Sequence, residues 1–397
     1  MNGTVLNKTE LAAWRSLLAR PDGKKLLLSA GIYLLAALII PLSGSTELCG
    51  LFIAACVAFL LTATHSFSTL LAVAIPALLL FTLSGSMLPA ALLFAIVFGG
   101  ATGAVLILSA RNVREALPLI GLPVLAYLAA WLISGHPLIA LLTAVPMPLA
   151  LVGALVVRRC KPFSPAVAAI AVAVAAVAVS VSVIALAAIA PEYLNFFRHL
   201  PELAALLQKE MLAVITEMAE LYPEMGLTAI FTPTMLHNMI ALAINLSPGI
   251  FAIFAIVAAY LVWRILCALL VALGMLPRLP RVFVTPMMSV VSAVLFILAF
   301  LVALFANSAY TLVGAVAENC ALVLTPGFSL IGFGSLLGRH TQRSCLSVLL
   351  LIGMAYLIFN NPPLAFTIAA LYGAIQSLLL AHANAKNNKN NHKKGEP

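Results

Sequence analysis

Residues 165–190 read PAVAAIAVAVAAVAVSVSVIALAAIA, without a single charged side chain. A helix needs about 20 apolar residues to cross the hydrocarbon core of a bilayer, so this run is long enough to span a membrane. Almost every residue is Ala, Val or Ser, and such small side chains let neighbouring helices approach closely. The run therefore predicts a transmembrane helix inside a bundle.

The whole chain has the same character. Of its 397 residues, 64% are hydrophobic and 8% are charged, whereas soluble domains carry roughly a quarter of charged residues. The composition predicts an all-α, polytopic transmembrane helical bundle. Five basic residues precede the first apolar run, and no small-residue cleavage site follows it, so we expect a retained anchor rather than a signal peptide.

Twelve apolar runs are long enough to be considered as spans, since somewhat fewer than 20 residues are tolerated. Besides Pro165–Ala190, they are Leu26–Leu42, Cys49–Thr64, Leu70–Leu83, Met87–Leu108, Ala116–Ile133, Leu138–Val157, Ile250–Leu276, Met288–Ala306, Tyr310–Gly338, Leu346–Ile358 and Leu364–Ala381. We therefore expect about twelve spans.

The basic residues test this map, because Lys and Arg are retained in cytoplasmic loops. With the N-terminus inside, eighteen of the 21 basic residues fall on the cytoplasmic side, and Arg198 and Lys209 fall outside. The cytoplasmic clusters are Lys8, Arg15, Arg20, Lys24 and Lys25; Arg111 and Arg114; Arg158, Arg159 and Lys161; Arg278 and Arg281; Arg339 and Arg343; and Lys386, Lys389, Lys393 and Lys394. The pattern predicts a multi-pass protein of the bacterial cell membrane with both termini in the cytoplasm. It also explains the net charge of +9 without nucleic-acid binding.

One apolar stretch is ambiguous. Residues Leu227–Leu246 are apolar enough to span, but they also carry Thr232, His237 and Asn238. A simple extra span there would place the last three basic clusters outside, so we interpret the stretch as an interfacial or re-entrant helix. The alternative divides Tyr310–Gly338 into two short spans.

The predicted organisation has five parts. They are a cytoplasmic arm (1–24), an N-terminal bundle of about seven spans (25–190), an outer acidic amphipathic segment (191–248), a C-terminal bundle of about five spans (249–383) and a basic disordered tail (384–397).

The outer segment has one apolar helix face, formed by Leu203, Leu207, Met211, Ile215 and Met218. This pattern favours a helix on the membrane surface or over the bundle. A lid or vestibule that admits a cationic or polar solute is the sharper hypothesis. Its candidate residues are Glu210, Glu217 and His237.

Familiar catalytic motifs do not occur in the sequence. It has no GxxxxGK[ST] phosphate loop, no HExxH zinc motif and no GxSxG nucleophile elbow. The six cysteines form no CxxC pair, and most lie inside apolar runs. We predict no catalytic residue, metal site or cofactor, and no enzymatic activity.

The most informative side chains are polar groups inside predicted spans. Arg264 lies near the middle of its run, and Glu318 precedes Asn319 in another. Because a charge at bilayer depth is costly, it should face protein or water. We expect Arg264 and Glu318 to pair and Asn319 to form a hydrogen bond nearby, either locking two helices or forming a polar binding site.

Two further patterns concern helix packing. Gly99 and Gly103 form a GxxxG motif, which suits close helix contact. Several prolines lie in or near spans, where each removes a helical hydrogen bond and permits a kink. They are Pro76, Pro118, Pro123, Pro146 and Pro148.

The C-terminal third resembles the YybS-like family of predicted bacterial multi-pass membrane proteins. The resemblance rests on Ser247-Pro248-Gly249, on Tyr260 and Arg264, on the stretch 276–283 with Pro286, and on Asn319, Phe328 and Gly332. It implies a fold like that of the substrate-binding subunits of energy-coupling-factor vitamin transporters, and a role in small-molecule uptake.

Three functions follow as hypotheses. The first is transport or capture of a small molecule in the bilayer, coupled to a separate ATPase module or an ion gradient. The second is a non-catalytic scaffold that docks envelope proteins through the outer segment. The third is an enzyme acting on lipid-linked substrates, which we rank last because few polar groups are available on the outer face.

Overall fold

In the computed structural model, the chain is helical. The residues described are 22–42, 45–64, 67–110, 113–161, 163–189, 191, 196–226, 230–276, 288–305, 312–339, 352–353, 356–358 and 360–394. No strand occurs among them. The chain divides into an N-terminal unit (Met1–Leu194 with Phe254–Thr285) and a C-terminal unit (Asn195–Ile253 with Pro286–Pro397).

Thirteen helices follow one another in the described residues. They are α1 (Gly23–Ile39), α2 (Thr46–Thr64), α3 (Phe67–Ser84), α4 (Met87–Ser109), α5 (Val113–Ser134), α6 (Pro137–Leu141), α7 (Pro146–Arg158), α8 (Phe163–Ile189), α9 (Phe196–Leu221), α10 (Pro233–Ala272), α11 (Val290–Phe305), α12 (Leu312–Arg339) and α13 (Pro362–Lys394). A 3₁₀ turn at Leu142–Ala144 lies between α6 and α7, so the sixth predicted run is interrupted just before Pro146.

The helices confirm a polytopic membrane protein. Seven segments of the described chain are long and apolar enough to cross a bilayer, and shorter apolar helices occupy Thr69–Thr82, Gly121–Ser134 and Val290–Phe305. The expected number of twelve spans is not confirmed. The cytoplasmic arm lies mostly outside the described residues, as does most of the run Leu346–Ile358.

Two expectations about helix boundaries are wrong. Residues 233–246 are not a separate interfacial or re-entrant helix, because they form the first part of the continuous helix α10. At 1.5 Å per residue its 40 residues extend over about 60 Å, twice the hydrocarbon thickness. The alternative division of Tyr310–Gly338 also fails, since α12 is a single helix of 28 residues.

Helix α4 is the centre of the N-terminal unit. A Cβ atom on Gly103 would come 2.6 Å from Ala150 Cβ, and one on Gly99 would come 2.8 Å from Pro146 Cβ. Contacts that close leave no space for a side chain, so both glycines are needed where α4 meets α7. The predicted role of the GxxxG motif in helix packing is confirmed.

The contacts of α4 also give the directions of its neighbours. Along α4, Gly99 and Gly103 meet Pro146 and Ala150, so α7 runs parallel to α4. Gly99 and Gly103 meet α1 in the reverse order, at Ala36 and Tyr33, so α1 runs antiparallel to α4. The start of α1 therefore lies at the same end of the unit as the ends of α4 and α7.

Basic side chains at that end cap helix C-termini. Lys25 Nζ donates to the Ala272 carbonyl of α10 at 3.2 Å. Arg158 Nη2 donates to the Ile107 carbonyl at 3.1 Å and to the Ala110 carbonyl at 3.4 Å. Cations at helix C-termini satisfy free carbonyls and complement the helix dipole. Basic residues that the charge pattern assigned to one side of the membrane thus lie at one end of this unit.

The C-terminal unit is built around α12. The Phe296 ring of α11 lies 5.2 Å from that of Phe328. Gly332 contacts the backbone carbonyl of Ala369, Gly373 contacts that of Phe328, and both contacts are too close for a Cβ atom. Small residues thus bring α12 and α13 together at backbone distance.

These contacts show that α12 and α13 are antiparallel, because Phe328 meets Gly373 and Gly332 meets Ala369. Helix α13 therefore begins at the end of the unit where α12 stops at Arg339. A single further crossing at Leu346–Ile358 would instead make α12 and α13 parallel. The expectation that the Arg339 cluster and the basic tail lie on the same side does not fit this packing.

Candidate functional site: a bridged helix break

A proline interrupts the hydrogen bonding of α10 within the C-terminal unit. Pro248 lies inside the helix and has no N–H, so the Ile244 carbonyl loses the donor that it would have in an unbroken helix. The neighbouring Ser247 supplies a replacement, since its Oγ donates to the Ile244 carbonyl at 2.8 Å. One of the groups released by the break is therefore satisfied by a side chain.

Asn319 of α12 bridges the next pair of backbone groups. Its Oδ1 accepts the Gly249 N–H at 2.7 Å, and its Nδ2 donates to the Asn245 carbonyl at 2.7 Å. In a regular helix the Gly249 N–H would donate to the Asn245 carbonyl. The Asn319 amide thus bonds both members of a helical pair. We call this arrangement, formed by Asn319, Asn245 and Gly249, the clip.

The hydrogen-bonding capacity of the Asn319 donor group is fully used. Its second Nδ2 proton goes to the Ala315 carbonyl at 2.8 Å, and an amide NH₂ has only two donors. The expected hydrogen bond of Asn319 is therefore present, but it fixes a helix break. The amide nitrogen has no donor left for a solute.

Gly249 permits the close approach that the clip requires. A Cβ atom there would lie 2.6 Å from Asn319 Oδ1 and 2.9 Å from Leu322 Cδ2. Since Oδ1 is held by its hydrogen bond, the oxygen has little freedom to move away. A side chain at this position would separate α10 from α12.

Helix α12 contains a proline, Pro326, in a similar sequence. Residues 246–251 read LSPGIF and residues 324–329 read LTPGFS, so both spanning helices contain Leu-[Ser/Thr]-Pro-Gly. Sequence reasoning noted Ser247-Pro248-Gly249 but missed the second copy at Thr325-Pro326-Gly327. Comparison of the two apolar runs would have revealed it. Asn319 contacts Asn245 and Gly249 of α10, and Leu322 contacts Gly249, which is the order expected if α10 and α12 run parallel.

The two predicted intramembrane charges belong to different units. Arg264 lies in the part of α10 that belongs to the N-terminal unit, and Glu318 lies in the C-terminal unit. Both side chains are half-buried. Their pairing stays a prediction.

The predicted vestibule residues lie on α9 and at the start of α10. Glu210, Glu217 and His237 are all exposed. Gln208 Nε2 donates to the Pro233 carbonyl at 3.2 Å and so joins α9 to the first residue of α10. This contact places α9 beside the first residue of α10 and leaves the vestibule itself a prediction.

Comparison with known proteins gives no relative for this chain. No family model, curated protein or solved structure matches it. The resemblance to the YybS-like family therefore stays a prediction, and any function must be argued from the site.

Proposed function

We propose that this protein transports a small molecule across the membrane or captures one within it. The observation that carries the proposal is the clip at Pro248. Irregular backbone at membrane depth is tolerated where protein or a water-filled cavity surrounds it. Paired Gly/Pro-interrupted spans are typical of secondary transporters, whose substrate sites lie at such breaks.

The repeated motif supports the same function. A proline that only kinked a helix would need no partner of matching sequence, whereas α10 and α12 carry LSPG and LTPG and are joined at the first of them. The sequence has no nucleotide motif, so we propose that coupling comes from a separate ATPase module or an ion gradient. We also propose a fold like that of the substrate-binding subunits of energy-coupling-factor vitamin transporters.

The orientation is also proposed. Lys25 and Arg158 share one end of the N-terminal unit, and the positive-inside rule favours the cytoplasm for that end. The N-terminus is then cytoplasmic, and α9 lies on the outer side.

The test is uptake by the purified protein reconstituted in liposomes. Labelled amino acids, amines, nucleosides, vitamins and dicarboxylates are offered separately, with and without pH and Na⁺ gradients. We expect one class to accumulate above empty liposomes, and Asn319→Ala to reduce its uptake several-fold. The control is Asn238→Ala on exposed helix surface. No uptake and no binding of any class, by protein with wild-type circular dichroism, would refute the proposal.

The exposed apolar stripe of α9 favours a scaffold as the second candidate. One helix face carries Leu207, Val214, Met218 and Leu221, whose side chains are between 48% and 67% exposed. Such a stripe suits an envelope protein or the bilayer surface. Cross-linking from a photoreactive residue at 214 separates the two, because lipid adducts alone would exclude protein docking there.

A further inference from the structure

Glu318 lies beside the clip in the C-terminal unit. It precedes Asn319 within the apolar segment Val313–Leu336 of α12. Its side chain is half-buried, and it makes no hydrogen bond or ion pair among the described residues of the C-terminal unit. Because a carboxylate at this depth is costly unless it is paired, a cation bound to Glu318 would stabilise it.

A second acceptor lies one turn further along α12. Pro326 has no N–H, so the Leu322 carbonyl loses its regular helical donor. Thr325 does not replace it, since its Oγ1 donates to the Ala321 carbonyl at 2.7 Å. At the first break, by contrast, Ser247 does reach the corresponding Ile244 carbonyl. No side chain of the described residues donates to the Leu322 carbonyl.

The acceptors share one face of the helix. Around an α-helix, a residue four positions further along is rotated by about 40°, and one seven positions further along by about −20°. Glu318, Leu322 and Thr325 therefore lie within a sector of about 60°. All three residues are half-buried. The Thr325 oxygen keeps its lone pairs and adds a further acceptor to this face.

The spacing decides which cation fits. Glu318 and Leu322 are separated by about 6 Å along the axis. The Glu side chain leans towards the helix N-terminus while the carbonyl points the other way, which widens the gap. A metal ion such as Ca²⁺ needs its oxygens at about 2.3–2.6 Å, so one ion cannot bind both groups. An organic molecule can reach from one group to the other.

We propose that this face of α12 binds an organic cation, with its ammonium group on Glu318 and a second N–H or O–H donor on the Leu322 carbonyl. The inference rests on the proposed function and names its substrate class. The Glu318 charge supplies recognition, and the carbonyl selects molecules that carry a second donor. The Asn319 clip fixes α12 beside α10 at this point.

The test uses the full chain in mild detergent and in liposomes. The probes are labelled 1,4-diaminobutane, methylammonium, ²²Na⁺ and succinate. We expect diaminobutane to bind at least tenfold more tightly than methylammonium, which lacks the second donor. Glu318→Gln should weaken diaminobutane binding at least tenfold, Glu318→Asp should retain part of it, and the exposed Glu220→Gln on α9 should bind as wild type does.

Several results would overturn the inference. One is unchanged diaminobutane binding by folded Glu318→Gln, and another is ²²Na⁺ binding as tight as that of diaminobutane. A third is that Glu318→Arg fails to fold by itself but folds when it is combined with Arg264→Glu, which would assign Glu318 to a permanent ion pair. Succinate uptake that is insensitive to Glu318→Gln would overturn the inference but leave the transport function intact. Diaminobutane binding without uptake of any solute would support the site and refute transport.

Discussion

Replacing Asn319 by Ala removes the clip and tests whether it stabilises the break in α10. The variant loses the hydrogen bonds from Gly249 N–H and to the Asn245 carbonyl, each 2.7 Å long. The third bond, to Ala315 of the same helix, does not join the two helices. Two interhelical bonds are therefore lost.

The magnitude follows from these two bonds. Hydrogen bonds between membrane helices contribute about 0.6 kcal/mol on average and about 1.7 at most. The two freed groups are an i, i−4 pair that can bond to each other, so no large penalty for unpaired groups is added. We expect Asn319→Ala to lower the free energy of unfolding by about 1–2 kcal/mol.

Two further substitutions make this test specific. Asn319→Asp keeps an acceptor for Gly249 N–H but turns a second oxygen towards the Asn245 carbonyl, so we expect a larger loss. Asn238 is exposed on the same helix as the break, and Asn238→Ala should stay within about 0.5 kcal/mol of wild type. The assay is reversible unfolding in bicelles, followed by far-ultraviolet circular dichroism. Equal stabilities of Asn319→Ala and wild type would refute the role of the clip.

Three glycine substitutions test the helix contacts by the same assay. Gly332→Ala should cost about 1–3 kcal/mol, because its Cβ would overlap a backbone carbonyl of α13 that cannot rotate away. Gly334→Ala, which meets nothing within 4 Å, should be neutral or slightly stabilising. Gly103→Ala should likewise destabilise the N-terminal unit, whereas Gly31→Ala in open space should not. Gly249→Ala should reduce solute uptake as well as stability, and wild-type uptake by this variant would contradict the proposed function.

Most of the helical map could be predicted from hydropathy alone. Apolar runs fall inside helices because lipid leaves no other way to satisfy the backbone. The error at residues 227–246 has a physical cause. The charge count excluded an extra span here, and Thr232, His237 and Asn238 supported that interpretation. These residues instead lie at or near the start of a helix longer than the bilayer is thick.

Charge patterning fits the packing of the N-terminal unit and does not fit that of the C-terminal unit. Lys25 and Arg158 lie at one end of their unit, where each donates to a carbonyl at a helix C-terminus. The position of the basic tail depended on one crossing between Arg339 and Pro362. The antiparallel contact of Gly332 with Ala369 shows that α12 and α13 do not have the directions this crossing requires.

The site could be predicted only in part. A polar residue within an apolar run marked Asn319 as significant, but its partners are 70 and 74 residues away in the chain. Hydropathy cannot show which of several helices lies beside it. Gly249 gave no signal by itself, because its role depends on an oxygen of another helix. The repeated LSPG and LTPG motifs were the available clue.

The clip gives a modest stabilisation to the contact between α10 and α12. With Asn319 in place, the Gly249 N–H and the Asn245 carbonyl bond to a side chain, and without it they can bond to each other. Loss of the Asn319 side chain therefore costs only about 1–2 kcal/mol, because the two backbone groups need not stay unpaired. The several-fold loss of uptake expected for Asn319→Ala under the proposed function would then come from a changed geometry of α10 beside α12 rather than from unfolding.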